Sequence, residues 1–156
     1  MKVSILWDMD GTIADLYAVD NWLEYLRHYD PTPYKQAEAM WDMERLVRTL
    51  DALIDNGVEI KVVSWLSKES NKEYDTEVRK AKREWLDRYG FPYQHCHLVP
   101  YGTNKAYYRD KDSINILIDD NAEVRNAFMK FDNCYTVNPT TVDIVNYLET
   151  LACTLV

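Results

Sequence analysis

The chain has 156 residues, 47% of them apolar and 28% charged, which is enough for one real hydrophobic core and points to a single globular domain. Only 4 Gly and 5 Pro stand beside 12 Tyr, 5 Trp and 3 Phe, so a disordered or collagen-like chain is excluded. The 26 acidic residues outnumber the 18 Lys and Arg, and the net charge of −8 argues against non-specific gripping of a nucleic-acid backbone. A small substrate fits that charge better.

In chain order, the first element is an apolar strand over 3–7, stopped by Asp8. It is too short for a membrane span or the apolar part of a signal peptide, so a cytoplasmic protein without membrane attachment is expected. Residues 16–42 follow as a helical insertion. Ala18, Trp22, Leu23 and Leu26 suggest one helix, the Asp30-Pro31-Thr32-Pro33 stretch ends it, and 34–41 suggests another. Met43, Leu46, Val47, Leu50, Leu53 and Ile54 then repeat at helical spacing and stop at Asn56-Gly57. A strand over 59–64 precedes a helix marked by Tyr74, Val78, Ala81 and Trp85, which ends at Gly90 and Pro92. Further strands are expected over 96–99, 114–118 and 134–137. Asn121 is placed to cap a short helix carrying Val124, Ala127 and Phe128, and Val142, Val145 and Leu148 mark a last one after Pro139. Strands alternating with helices predict an α/β fold: a three-layer Rossmann-like domain over 1–156, with a mostly parallel sheet covered on both faces.

The chemistry-bearing stretch is Asp8-Met9-Asp10-Gly11-Thr12-Ile13-Ala14-Asp15, directly after the first strand. Its polar residues therefore belong at that strand's C-terminal end, where open α/β sheets bind ligands. Asp119-Asp120 follows the 114–118 strand in the same way. If the two strands are neighbours, their carboxylates converge, and such a cluster needs a cation or shared protons to offset its repulsion. An acidic, all-oxygen, partly open site suits Mg²⁺. Any single aspartate at a strand end reads equally as a turn former or helix cap, but Asp-x-Asp-Gly-Thr together with Asp-Asp is a stronger pattern.

These residues resemble the haloacid dehalogenase (HAD) superfamily of phosphohydrolases, whose first signature is an apolar strand followed by DxDGT or DxDGV. The resemblance extends to Ser64 at the end of the 59–64 strand, to Lys105 after Val99-Pro100-Tyr101-Gly102-Thr103-Asn104, and to Asp119-Asp120. It implies a Mg²⁺-dependent phosphomonoesterase that forms an aspartyl-phosphate. Asp8 would be the nucleophile and Asp10 the general acid and base. Asp8, the Asp10 carbonyl and Asp120 would hold the metal, with Asp119 supporting. Thr12, Ser64 and Lys105 would bind the phosphoryl oxygens, while Asp15 would order the loop. Asp10 favours phosphate chemistry over dehalogenation, which needs neither an acid nor a metal at that place. Residues 16–42 would form a small helical cap.

Asp8-Met9-Asp10-Gly11-Thr12-Ile13-Ala14-Asp15-Leu16 is most similar to the 5'(3')-deoxyribonucleotidase branch, typically DMDGVLADF, although Thr12 replaces its commoner Val and the insertion is shorter. A (deoxy)nucleoside monophosphate is thus the expected substrate. Another small phosphate ester, a nucleic-acid 3'-phosphate end or a non-catalytic HAD-like binding module are the alternatives. Tyr17, Trp22 and Trp41, with Tyr25, Tyr29 and Tyr34, give the insertion rings that stack on a base or form the insertion's own core. The sequence leaves the oligomeric state open.

The remaining polar residues read as structural. Cys96, Cys134 and Cys153 form no CxxC pair and are expected as small buried hydrophobes. His95 and His97 share a strand face without completing a tetrahedral metal site, and His28 sits near a helix end. Arg79, Lys80, Lys82 and Arg83 alternate with acids on one helix and are expected on a solvated face.

Overall fold

A computed structural model describes residues 1–155; Val156, the last residue of the expected domain, lies outside the described residues. The main sheet has five parallel strands, β1 (Lys2–Trp7), β4 (Glu59–Trp65), β5 (His95–Val99), β6 (Ser113–Ile118) and β7 (Cys134–Val137), in the order β5-β4-β1-β6-β7. This is the expected α/β sheet with β1 at its centre. The register sets Trp7 beside Ile118 and Val62, so the residues after β1 and β6 leave the sheet at one edge.

Alternation along β1 divides the core between the two faces of the sheet. Ile5 and Trp7 pack with Leu46, Leu50 and Leu53 of α3 (Met43–Asp55) and with Ile144, Val145 and Leu148 of α6 (Ile144–Leu155). Leu6 points the other way, towards Val124 and Phe128 of α5 (Ala122–Phe128). Each of these three β1 side chains is fully buried; the ~25 cal/mol gained per Å² of apolar surface makes this the main force holding the strand in place. A third cluster joins Tyr74, Val78 and Ala81 of α4 (Lys72–Arg88) to Leu16, Tyr34 and Leu66.

Residues 16–42 depart in part from the expected pair of helices. A 3₁₀ turn (Leu16–Ala18) leads to α1 (Trp22–Arg27) and α2 (Thr32–Gln36). The expected helix over 34–41 stops at Gln36, because Glu38–Ala39 (β3) pairs antiparallel with Ala14–Asp15 (β2). Ala37 has left the helical region, and its carbonyl accepts a 2.7 Å hydrogen bond from the buried Trp85 indole. Extended pairing and one buried indole donor therefore outcompete a further helical turn. Asp15 lies in this pairing, opposite Glu38.

Cys134 is buried and Cys96 half-buried, but Cys153 is exposed on α6, contrary to expectation. The His95 and His97 rings do share a face, stacked at 5.9 Å, and His28 caps α1, its Nδ1 lying 2.7 Å from the Glu24 carbonyl. Among the described residues, no helix is long and apolar enough to cross a membrane.

Candidate active site

The loop after β1 is folded back tightly over one carbonyl. The Met9 oxygen accepts from the amides of Thr12, Ile13 and Ala14 at 2.8–3.0 Å, and the Asp8 amide continues the sheet by donating to Ile118. The turn requires a left-handed backbone at Gly11, φ +77°. A β-carbon there would collide with the Asp120 carboxylate and lie 2.9 Å from the Tyr17 ring. Gly11→Ala should therefore displace Asp120 as well as straining the turn. We expect at least a ~10-fold loss of Mg²⁺ affinity in calorimetry, the scale on which a disturbed metal shell is felt. Unchanged affinity would show that the Asp120 position does not matter to the metal.

Asp8, Asp119 and Asp120 each offer a carboxylate oxygen within 4.8 Å of the others. Lys105 enters from the 3₁₀ turn Lys105–Tyr108, only 3% exposed, and donates to Asp8 Oδ1 at 2.9 Å and to Asp119 Oδ2 at 2.7 Å. Burial works against its charge, but Asp8 and Asp119 outweigh that and hold its pKa above the usual lysine range. The buried Thr12 hydroxyl lies 3.0 Å from Asp8 Oδ2 and 3.4 Å from Asp120 Oδ1. Asn121 caps α5 as expected, accepting from the Glu123 and Val124 amides, and its own amide donates to Asp119.

One ammonium does not neutralise this cluster. Burial and then the Asp8 charge push both Asp119 and Asp120 above the carboxylate range. The folded state thus binds protons that the unfolded chain has already released, and stability contributed by the protonated form is lost as pH rises towards the folded pKa values. Asp30 and Asp110, held low by hydrogen bonds, act only below the ordinary carboxylate value. His97, lowered from 6.5 by burial, acts in the opposite direction. The clean measurement is therefore a difference. Without metal, Asp120→Asn should gain thermal stability over the wild type as pH rises from about 5 to about 8, and Mg²⁺ should reverse that gain. A difference that stays flat with pH would remove the repulsion argument.

A cavity of about 320 Å³ opens over these carboxylates. Asp8, Asp10, Lys105, Asp119 and Asp120 line it, together with Tyr17 and Trp22 from the 16–42 segment. Tyr17 and Trp22 meet edge to face at 5.0 Å, and a second ring pair in the lining, Trp65 and Tyr101, lies 4.8 Å apart. Trp41 lies elsewhere: its indole donates to the Thr12 carbonyl at 2.7 Å, so it braces the loop rather than facing a ligand.

Two further placements differ from the sequence reading. Ser64 is completely buried, and its hydroxyl accepts from Lys82 at 2.7 Å; the serine found in the cavity lining is Ser67. Lys82 is not on a solvated face. It is 1% exposed and donates to Asp10 Oδ2, Ser64 Oγ and the Trp65 carbonyl at 2.7–2.9 Å. Its position carried a signal: it follows Val78 by four residues and precedes Trp85 by three, on the apolar stripe of α4. Arg83 and Lys80 do face solvent, while Arg79 is half-buried.

Burial raises the Asp10 carboxyl above its ordinary range and nearby Asp8 adds to this, although Lys82 opposes both.

No family model and no curated protein matches the chain. Solved structures do. One chain of the Pnkp1/Rnl/Hen1 RNA repair complex superposes with a TM-score of 0.60 at 15% identity, over 88% of this chain and 43% of that one. Another structure of the Pnkp1/Rnl/Hen1 complex gives 0.54 at 16%, over 88% and 46%, so this chain spans less than half the length of either. The HAD domain of effector protein Lem4 from Legionella pneumophila gives 0.51 at 14%, over 96% of this chain and 94% of that domain. The sheet and its flanking helices therefore share the fold of a HAD domain.

Proposed function

We propose that the chain is a HAD-type phosphomonoesterase that forms an aspartyl-phosphate on Asp8, with a (deoxy)nucleoside monophosphate as substrate. The observation carrying this reading is the setting of Asp8. Lys105 and Thr12 hold its two oxygens beneath an aromatic-lined cavity, with Asp10 two residues on in the same lining.

The donor set fits Mg²⁺: hard oxygens only, three of them converging, with raised carboxyl pKa values that a cation would relieve. Asp8, the Asp10 carbonyl and Asp120 would hold it, with Asp119 supporting and held in turn by Lys105. When bound, it would withdraw charge from the phosphoryl oxygens.

The chain's own residues do the remaining work. Lys105 and Thr12 orient the Asp8 carboxylate for in-line attack on phosphorus, and Lys105 also meets charge on the phosphoryl group. Ser64, behind the cavity wall, would act on the phosphate only if its hydroxyl turned away from Lys82. Asp10 passes a proton to the departing oxygen, then takes one from the water that splits the aspartyl-phosphate. The residues 16–42 act as a small cap, and the Tyr17–Trp22 and Trp65–Tyr101 pairs offer faces for a planar base.

A second reading, removal of 3'-phosphates from nucleic-acid ends, draws support from the fold likeness to the RNA repair complex. A panel of deoxynucleotides, sugar phosphates and 3'-phosphorylated oligonucleotides, assayed with Mg²⁺ and with excess EDTA, separates the two. We expect hydrolysis of nucleoside monophosphates that vanishes on chelation and returns with Mg²⁺. Preference for the oligonucleotides would favour the second reading, and full turnover in EDTA would overturn the metal assignment.

A further inference from the structure

We infer that Lys82 is a positioning residue for Asp10, fixing which oxygen of that carboxyl meets the leaving group. The inference rests on the phosphomonoesterase reading and adds to it a residue whose side chain is walled off from solvent. Lys82 comes from α4, 72 residues further along the chain than Asp10, and its ammonium is satisfied on every side. Three donors reach three acceptors, Asp10 Oδ2 at 2.8 Å, Ser64 Oγ at 2.7 Å and the Trp65 carbonyl at 2.9 Å. The Tyr34 ring lies 5.0 Å from the same nitrogen.

Tyr34 is itself fixed, since its hydroxyl lies 2.6 Å from Ser67 Oγ in a buried contact. The ammonium is thus tied to the end of β4 and packed against the 16–42 segment, and it has little freedom to follow Asp10 if that side chain turns. A lysine buried this completely has given up its hydration shell, a loss that only well-placed partners offset, so its geometry is held rather than incidental.

The consequence for Asp10 is directional. Oδ2 already accepts a charged donor, and a proton on that oxygen would face the ammonium hydrogen. Oδ1 accepts from none of the described residues, so it is the oxygen left to the substrate. In the first step the O–H bond at Oδ1 breaks as the leaving oxygen gains that proton and its bond to phosphorus breaks. Asp10 is left as a carboxylate still held by Lys82.

The test is a double-mutant cycle read in single turnover, with an aryl and an alkyl phosphate as probes. Lys82→Met keeps the length of the stem and removes the donors. It should slow formation of the aspartyl-phosphate from the alkyl ester by roughly 10- to 100-fold, the scale on which loss of an orienting partner is felt. The aryl ester, whose leaving group needs little protonation, should be slowed by no more than about 3-fold. Added to Asp10→Asn, Lys82→Met should cause little further loss on the alkyl ester, because the group it positions is already gone. Should Lys82→Met fold poorly, Lys82→Gln retains an amide donor and should show a smaller loss with the same leaving-group dependence. Equal slowing of both esters, or additive losses in the double variant, would overturn the inference while leaving the phosphomonoesterase reading intact. A wild-type protein that hydrolyses neither ester would overturn both.

Discussion

Replacing Asp8 by Asn is expected to abolish turnover, by roughly 10⁴-fold or more, the scale seen when a covalent nucleophile is removed. An amide nitrogen or oxygen at that place cannot form the aspartyl-phosphate, while Lys105 and the rest of the cavity lining stay in place. The fold should survive, because Lys105 keeps Asp119 at 2.7 Å and the cluster loses one repelling charge. Acid quenching during turnover should trap phosphate on the Asp8 peptide of the wild type and none on the variant. Normal turnover by Asp8→Asn would require another nucleophile.

Asp10→Asn separates proton transfer from bond formation. The nucleophile stays, but the proton donor is lost, so the first step should slow by at least ~10²-fold on a nucleoside or alkyl phosphate. An aryl phosphate should be slowed far less in that step. Steady-state rates would mask the contrast, since in the proposed mechanism the same carboxylate also activates the water of the second step, so single-turnover measurement is required. If both esters slowed equally, Asp10 would have to be reassigned from acid to a structural role.

The strands were legible because each is a short, largely apolar run bounded by turn residues, and β1 and β6 are each followed directly by aspartate. The same spacing made the convergence of Asp8 with Asp119 and Asp120 readable, since two neighbouring parallel strands must deliver their ends to one edge. The 16–42 segment was less legible. Its helices are six and five residues long, too short for periodicity to separate them from turns, and β3 has only two residues. Trp41 shows the limit for rings: composition cannot say whether an indole faces a ligand or a loop carbonyl. Lys82 was hidden for a different reason. A lysine among alternating charges is normally solvated, and only its coincidence with the Val78–Trp85 stripe marks it as inward-facing. Trp65, the last residue of β4, and Lys68, in the loop that follows, line the cavity without belonging to a motif, because both lie past the Trp7–Val62 pair where β4 leaves β1.

The strand order has a kinetic meaning. Asp8 and the Lys105 that holds it are 97 residues apart in the chain, and Thr12 and Asp120 are 108 apart. During synthesis, Asp8 emerges long before β6 exists to stand beside β1, and closing so large a loop is entropically slow compared with forming local helices. Until β6 has emerged, Asp8 stands without the Asp119 and Asp120 carboxylates beside it. The carboxylate cluster should therefore form in a single event, the docking of β6 against β1, instead of accumulating gradually as the chain lengthens.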